Sequence, residues 1–308
     1  MKPLHLTITA AVLILAAVAC SGGSDEEASP SQETRVDEFP LIRGPVSPDG
    51  AQAIFGTPDL GVGENRFGFV LTSATQMLRG PAATVSSLYF PDDDSEGQPK
   101  QTALAVFRLW PYGTRGLYTT TLNFDRPGRW GIEVNTVDQD GAPRTAELFF
   151  EVNESTSAPS VGTPAVPTNN RTIRDVESIT QLTTGWTKDP DLYQISIADA
   201  VANGLPTVIV MASPAFCTNE VCGPQVEVLQ ELKNKYKGRA NFIHQDFYDN
   251  PEEIQGDLSR ARLATAVVEW GLPSTEWTFV VNADGIVSAR FESFATLEEI
   301  EEALLKVL

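Results

Sequence analysis

The segment from Pro206 to Tyr236 constrains the fold of this chain most, because an apolar run, two cysteines and a helical pattern follow one another directly. The β-branched residues 208–210 predict a buried strand, and the turn 213–216 ends it just before Cys217. A helix is predicted to begin near Cys222, because apolar residues then recur at the spacing of one buried helix face. These are Val226, Leu229, Leu232 and Tyr236. The order is therefore strand, thiol and helix.

A thiol at the start of a helix has a distinctive chemistry. The unpaired N–H groups and the positive end of the helix dipole favour thiolate over thiol, and the thiolate is the nucleophile. A bridge between Cys217 and Cys222 spans only four intervening residues and removes little entropy from the unfolded chain. This favours a redox-active pair, and a structural disulfide remains the alternative.

The residues around the cysteines resemble those of the thioredoxin family. Phe216 stands where that family has an aromatic residue before its first cysteine, and Cys222-Gly223-Pro224 continues into the helix in a similar way. The spacing here is C-x-x-x-x-C, two residues longer than the family's C-x-x-C. The resemblance implies a C-terminal α/β thioredoxin-like fold in which Cys217 attacks a client disulfide and Cys222 resolves the mixed disulfide.

Two positions depart from the family pattern. Met211 occupies the place of a buried acid six residues before the first cysteine, so that general base is missing. Glu276 directly precedes a predicted strand where the family has a cis-proline, and Pro273 lies three residues earlier. Because a cis bond before a residue other than proline costs about 3 kcal/mol, we expect a trans bond at Glu276 or a displaced role for Pro273.

The N-terminus has the pattern of an export signal. Lys2 is followed by an apolar stretch and by the small-residue site Ala17-Val18-Ala19-Cys20. This resembles a bacterial lipoprotein signal (residues 1–19), which implies acylation of Cys20 and a membrane anchor on the extracytoplasmic face. The alternative is an ordinary secretory signal that leaves Cys20 as a free thiol. Residues 20–40 are acidic and rich in Gly and Ser, which predicts a flexible tether.

Residues 41–153 show the period-two alternation of β-strands. The alternating sets lie around Phe67, Tyr118 and Trp130, and turn signals such as 125–128 separate them. The pattern 116–130 resembles the immunoglobulin-like modules of exported bacterial proteins. We therefore predict an N-terminal all-β immunoglobulin-like sandwich that serves as an interaction or spacer module.

A stretch rich in Ser, Thr, Pro and Asn follows at 154–173 and is predicted to be a linker. The thioredoxin-like domain is placed at 174–308, with Trp186 packing the ambiguous segment 174–188 onto it. Its predicted elements include a hairpin turning at 282–285 and a last helix capped by Thr296 with Glu299 three residues later.

Charge limits the partners of the chain. The 22 Lys and Arg residues against 41 Asp and Glu residues give a net charge of -19. The resulting negative electrostatic field opposes the approach of nucleic acid and of anionic lipid. The partners expected are thiols or disulfides of exported proteins, and the membrane through the N-terminal lipid. No cofactor is implied.

Three functions remain open on the sequence. The first is thiol-disulfide exchange with exported proteins through Cys217 and Cys222. The second is a non-catalytic binding or scaffold lipoprotein with a structural disulfide. The third is Cu(I) binding by Cys217, Cys222 and His244, the histidine that remains after removal of the signal.

Overall fold

The computed structural model describes residues 41–92, 96–111, 113–216 and 221–308. The signal 1–19, the tether 20–40, Cys20 and Cys217 lie outside these residues. All described residues belong to one compact unit. No helix among them is long and apolar enough to cross a membrane.

The first eight strands form a single antiparallel sheet. Their order is β1-β2-β6-β5-β4-β7-β8, with the short β3 paired to β2. The strands are β1 Gln52–Phe55, β2 Gly63–Thr72, β3 Met77–Leu78, β4 Ala82–Phe90, β5 Gln98–Leu109, β6 Gly116–Phe124, β7 Gly128–Val137 and β8 Pro143–Val152.

The two edges of this sheet approach each other. Arg144 and Thr145 of β8 both bind Asp49, which lies just before β1: the Arg144 guanidinium donates to its carbonyl oxygen (2.7 Å) and the Thr145 N–H donates to its carboxylate (2.8 Å). The sheet is thus a nearly closed, barrel-like structure. The predicted immunoglobulin-like sandwich of two sheets is wrong, because the strands belong to one sheet that curls until its edges meet.

The apolar side of the barrel-like sheet is filled by aromatic rings. Phe67, Phe69 and Leu71 on β2 are buried, as their alternation predicts. Phe124 and Trp130 are also buried, and their rings meet edge to face at 4.9 Å. The inward-facing position predicted for these residues is therefore confirmed, although the arrangement of the strands is not the predicted one.

The other described residues build a four-stranded sheet with five short or medium helices. The sheet order is β10-β9-β11-β12, and only the pair β9 and β10 is parallel. The elements are α1 Ile197–Ala202, β9 Thr207–Ala212, α2 Cys222–Tyr236, β10 Asn241–Gln245, α3 Pro251–Ile254, α4 Thr265–Glu269, β11 Glu276–Val281, β12 Val287–Glu292 and α5 Leu297–Leu305, with 3-10 turns at Ile179–Gln181, Pro190–Tyr193 and Leu258–Arg260.

The predicted thioredoxin-like α/β domain is wrong as a description of this chain. The described residues are mainly β, and every helix except α2 has nine residues or fewer. Of the two cysteines in the C-x-x-x-x-C motif, only Cys222 lies in the described residues. The structure therefore does not show the cysteine pair on which the resemblance was based. The individual elements, namely β9, α2, the hairpin β11–β12 and the capping box of α5, are nevertheless at their predicted places.

The region predicted as a linker, 154–173, runs along β12. Gly162 N–H donates to Val287 O (2.8 Å), and Val287 N–H donates to Thr163 O (2.9 Å). Ala158 and Ala165 in the same stretch are buried. These contacts fix this part of the chain against the four-stranded sheet.

Charged side chains join the barrel-like sheet to the four-stranded sheet. Arg66 on β2 donates to the Glu299 carboxylate (3.1 Å) and to the carbonyl oxygens of Glu292 (2.9 Å) and Phe294 (2.8 Å). Asp59 accepts from the Arg290 guanidinium (2.7 Å), and the Asp59 side chain is almost completely buried. The two sheets therefore pack through specific buried polar contacts.

Candidate functional site

The candidate site begins where β9 ends. All six residues of β9 are buried, because the strand lies between β10 and β11 in the middle of the sheet. A tight turn follows, in which the Phe216 N–H donates to Ser213 O (3.1 Å). The chain leaves this turn at Phe216 and next reaches Cys217, which is outside the described residues.

Cys222 is the first residue of α2, as the sequence predicts. Its side chain is fully buried, and the residue is disulfide-bonded. The chain has three cysteines, and the other two, Cys20 and Cys217, lie outside the described residues. Because the Cys222 sulfur is buried, a large molecule cannot approach it directly.

The first turn of α2 suits a negatively charged sulfur. Val221 is the N-cap, and its apolar side chain makes no capping hydrogen bond. Gly223 and the buried Pro224 complete this turn, where a proline is tolerated because the N–H it lacks has no helical partner. The free energy of a thiolate is lowered by the positive end of the helix dipole.

The loop before β11 lies against Cys222. Its sulfur is 4.0 Å from the carbonyl oxygen of Thr275. Glu276 is buried and is the first residue of β11, paired with Ala212 at the end of β9. Pro273 is half-buried in the same loop, and no peptide bond in the described ranges is cis. The loop from Pro273 to Glu276 thus meets Cys222 through Thr275, with ordinary trans backbone.

A buried carboxyl group connects this loop to the barrel-like sheet. Glu292 accepts from the Ser274 hydroxyl (2.7 Å) and from the Asp59 N–H (2.9 Å). Burial raises the pKa of Glu292 to about 7, and the negative charge of Asp59 acts in the same direction. The protonation of one side chain is thereby linked to the loop that touches Cys222.

Phe216 has a defined position beside the site. Its ring is half-buried and meets Tyr248 edge to face, with ring centres 6.1 Å apart. The contact fixes the last described residue before Cys217. The sequence identified Phe216 correctly as a residue next to the cysteines, but gave no sign of its partner.

Asp246 is a residue that the sequence reasoning missed. It lies directly after β10, is completely buried, and accepts from the Thr184 N–H (2.7 Å), the Thr184 hydroxyl (2.9 Å) and the Tyr248 N–H (3.1 Å). Burial raises the pKa of Asp246 to about 6, and these hydrogen bonds limit the rise. The available signal was an acid shortly after the apolar residues Phe242 and Ile243.

Thr184 connects Asp246 to the turn before Cys217. Because its hydroxyl hydrogen goes to Asp246, its oxygen is free to accept, and it accepts from the Ala215 N–H (3.1 Å). The Ser213 hydroxyl lies 3.1 Å from the same oxygen. Asp246, a buried acid, is therefore connected to the turn through Thr184. Met211, at the position where the thioredoxin family has its buried acid, supplies none.

His244 is engaged at both ring nitrogens. Nε2 lies 3.0 Å from Ala212 O, and a carbonyl only accepts, so Nε2 carries the proton. Nδ1 then accepts from the Tyr193 hydroxyl, at 2.6 Å. Complete burial lowers the pKa of His244 to about 4. To bind copper, His244 would have to give up one of these hydrogen bonds.

Metal ligands do not otherwise converge in the described part of the chain. Among those residues, no group of three or more His, Cys, Asp or Glu side chains could hold an ion. Cys217, one member of the predicted Cu(I) set, lies outside them. The copper hypothesis has no support from the described geometry.

Trp186 differs from its predicted role. Its side chain is 93% exposed, so it does not pack the segment 174–188 onto the rest of the chain. The adjoining Gly185 lies close to Pro214 of the turn before Cys217, since a Cβ added there would be 3.5 Å from the Pro214 ring. The indole therefore projects into solvent near the turn.

Comparison with known proteins gives little. No family model matches the chain, and no curated protein is similar to it in sequence. One solved structure, a superoxide reductase (neelaredoxin) from Ignicoccus hospitalis, is similar over 33% of this chain and 77% of its own, with 10% identity and a TM-score of 0.20. A similarity this low carries no argument about fold or function.

Proposed function

We propose that this chain is an exported, lipid-anchored protein that exchanges thiols and disulfides with other exported proteins through Cys217 and Cys222. The observation that carries the proposal is the disulfide-bonded, fully buried Cys222 at the first position of α2. Cys217 is proposed as its partner, because Cys20 is assigned to the lipid. The lipid anchor itself rests on the sequence pattern around Cys20.

The proposed reaction conserves atoms and electrons. A client thiolate attacks the sulfur of Cys217, which forms a mixed disulfide and releases Cys222 as a thiolate. A second client thiolate then attacks the client sulfur of that bond and releases Cys217. Two electrons pass from the client to the pair, and the client gains a disulfide. The steps reverse when the pair is reduced, so the relative reduction potentials set the direction.

Burial assigns different roles to the two sulfurs. A polypeptide cannot reach Cys222, so the attacked or attacking sulfur in the proposal is Cys217, the residue after the Ser213–Phe216 turn. Cys222 leaves or resolves; the N–H groups in the first turn of α2 stabilise its thiolate, whereas its burial opposes the charge. Asp246 and Thr184 hold the turn that leads to Cys217.

A trapping experiment tests the proposal. In Cys222→Ser the resolving thiol is gone, so Cys217 should accumulate as a mixed disulfide with polypeptide clients in the exported fraction, visible as reductant-sensitive adducts. The matched control is Cys217→Ser, which leaves only the buried Cys222 and should form none. Equal adducts in both variants, or adducts in neither, would contradict the proposed roles.

The scaffold function is the second candidate, because a fully buried sulfur also suits a permanent disulfide. In that case the pair stays oxidised in the native protein under excess dithiothreitol. Cys217→Ser would then lower stability and leave partner binding intact. The two functions are distinguished by whether the native disulfide can be reduced.

A further inference from the structure

Trp186 is the most exposed large hydrophobic residue in the part of the chain that the structure describes. Its side chain is 93% exposed, whereas the next in rank, Val46, Leu41 and Leu104, are 64–65% exposed and aliphatic. A tryptophan is among the costliest side chains to leave in water, and it is also the residue type most enriched at binding hot spots. The exposure of this indole therefore indicates a binding role.

The backbone that carries Trp186 is held firmly although its side chain is free. Thr184, two residues earlier, is hydrogen-bonded through both its N–H and its hydroxyl to the buried Asp246. Gly185 N–H donates to the Thr183 hydroxyl (2.9 Å), and Gly185 itself is buried. An indole on an anchored backbone loses little conformational freedom when it binds a partner.

The same anchor ties the segment of Trp186 to the turn that leads to Cys217. The Ala215 N–H donates to Thr184 at 3.1 Å, which joins the two segments. Each residue spans at most about 3.6 Å, so Trp186 lies within about 7 Å of Thr184 and Phe216 within about 4 Å of Ala215. The two aromatic residues are thus less than about 20 Å apart, and Cys217 is the next residue after Phe216.

This upper bound lies within the reach of an extended polypeptide bonded to Cys217. An extended polypeptide covers about 3.3 Å per residue and reaches the indole within about six residues, with apolar side chains that a small thiol lacks. We propose that Trp186 is a docking residue for polypeptide clients, which packs against an apolar or aromatic side chain a few residues from the client cysteine. This inference rests on the proposed exchange at Cys217.

The test compares a peptide with a small molecule. The reduced full chain is mixed with a short peptide that contains an apolar residue and an intramolecular disulfide, or with 2-hydroxyethyl disulfide, and the second-order rate constants are measured. Trp186→Ala should slow the peptide reaction by about tenfold, the loss typical of truncating a hot-spot residue. It should leave the small-molecule reaction unchanged. Trp186→Phe, which keeps an aromatic ring, should retain most of the peptide rate.

The matched control is Leu104→Ala, which truncates an exposed apolar side chain on β5 of the barrel-like sheet and should alter neither rate. Equal peptide rates for wild type and Trp186→Ala would overturn the docking role and leave the exchange function intact. An equal loss with both substrates would also overturn it, because the effect would then lie in the cysteines. If the reduced wild-type chain reacts with neither substrate, the exchange function itself fails.

Discussion

Asp246 accepts hydrogen bonds from both the N–H and the hydroxyl of Thr184, at 2.7 and 2.9 Å, although the two residues are 62 positions apart in the chain. The hydroxyl oxygen then accepts from Ala215, two residues before Cys217. A buried acid on one strand end is thereby connected to the turn that follows another. This connection is the structural basis for treating the turn as a prepared site.

Removal of the Thr184 hydroxyl should loosen the turn. Thr184→Val keeps the shape of the side chain but leaves the Ala215 N–H without its acceptor and Asp246 without one donor, so we expect a loss of about 1–3 kcal/mol in the free energy of unfolding. Urea denaturation measures it. The control Thr187→Val changes an exposed threonine three residues later. A loss of the same size in both variants would show that the Thr184 hydroxyl has no special role.

Acid should destabilise the protein through His244. Its pKa is lowered to about 4 in the folded chain by burial, against an ordinary value near 6.5, so the unfolded chain binds the proton more readily. Stability from this residue is present above pH 6.5 and is lost as the pH falls towards 4, by on the order of 3 kcal/mol.

Urea denaturation at pH 4 and 6.5, compared between wild type and His244→Gln, measures this contribution, because other groups titrate alike in both proteins. The wild type should lose more stability on acidification than the variant does. Parallel pH profiles for the two proteins would mean that His244 is not held neutral by burial.

Glu292 should give the opposite pH dependence. Burial raises its pKa to about 7, so the folded chain holds the proton more tightly than the unfolded chain. Its contribution to stability is full below about pH 4.5 and decreases as the pH rises through 7, by on the order of 3 kcal/mol. Glu292→Gln cannot ionise and should lack this decrease.

The measurement is again the free energy of unfolding, at pH 5 and pH 8. Glu298→Gln, at an exposed position in the first turn of α5, is the control and should keep the wild-type profile. A profile of Glu292→Gln that coincides with that of the wild type would refute the linkage.

Arg66 should be essential for the contact between the two sheets. It donates to Glu299 and to two backbone carbonyl oxygens, and its side chain is only 13% exposed. Arg66→Met removes the main cationic partner of the largely buried Glu299. It should lower the free energy of unfolding, measured by thermal or urea denaturation, by about 3–5 kcal/mol. Arg126→Met breaks an exposed pair with Asp125 and should cost less than about 1 kcal/mol. Similar losses for the two variants would contradict this account.

Local elements could be predicted from the sequence, whereas their assembly could not. Alternation identified Phe67, Phe124 and Trp130 as inward-facing residues, because period two determines which side of a strand is buried. It carries no information on whether strands close into one sheet or divide into two, and the sandwich was therefore wrong. The contacts of Arg144 and Thr145 with Asp49, which bring the edges together, are far apart in sequence and leave no local pattern.

The site was partly predictable for the same reason. Cys222 at the start of α2 and the Thr296–Glu299 capping box are local features, and both are where the sequence placed them. Asp246, and the segment that carries Trp186, are positioned through hydrogen bonds of Thr184 to distant parts of the chain. A motif of a few residues was also too short to define a domain, which is why the thioredoxin-like assignment did not hold.

The most direct test of the exchange function is a redox titration of the native protein. The full chain is equilibrated in mixtures of reduced and oxidised dithiothreitol, alkylated, and mapped by mass spectrometry at Cys217 and Cys222, with circular dichroism to show that the fold is retained. The account predicts that both cysteines become reduced together as one two-electron step while the fold persists. A pair that stays oxidised in excess dithiothreitol, or that is reduced only when the protein unfolds, would contradict it.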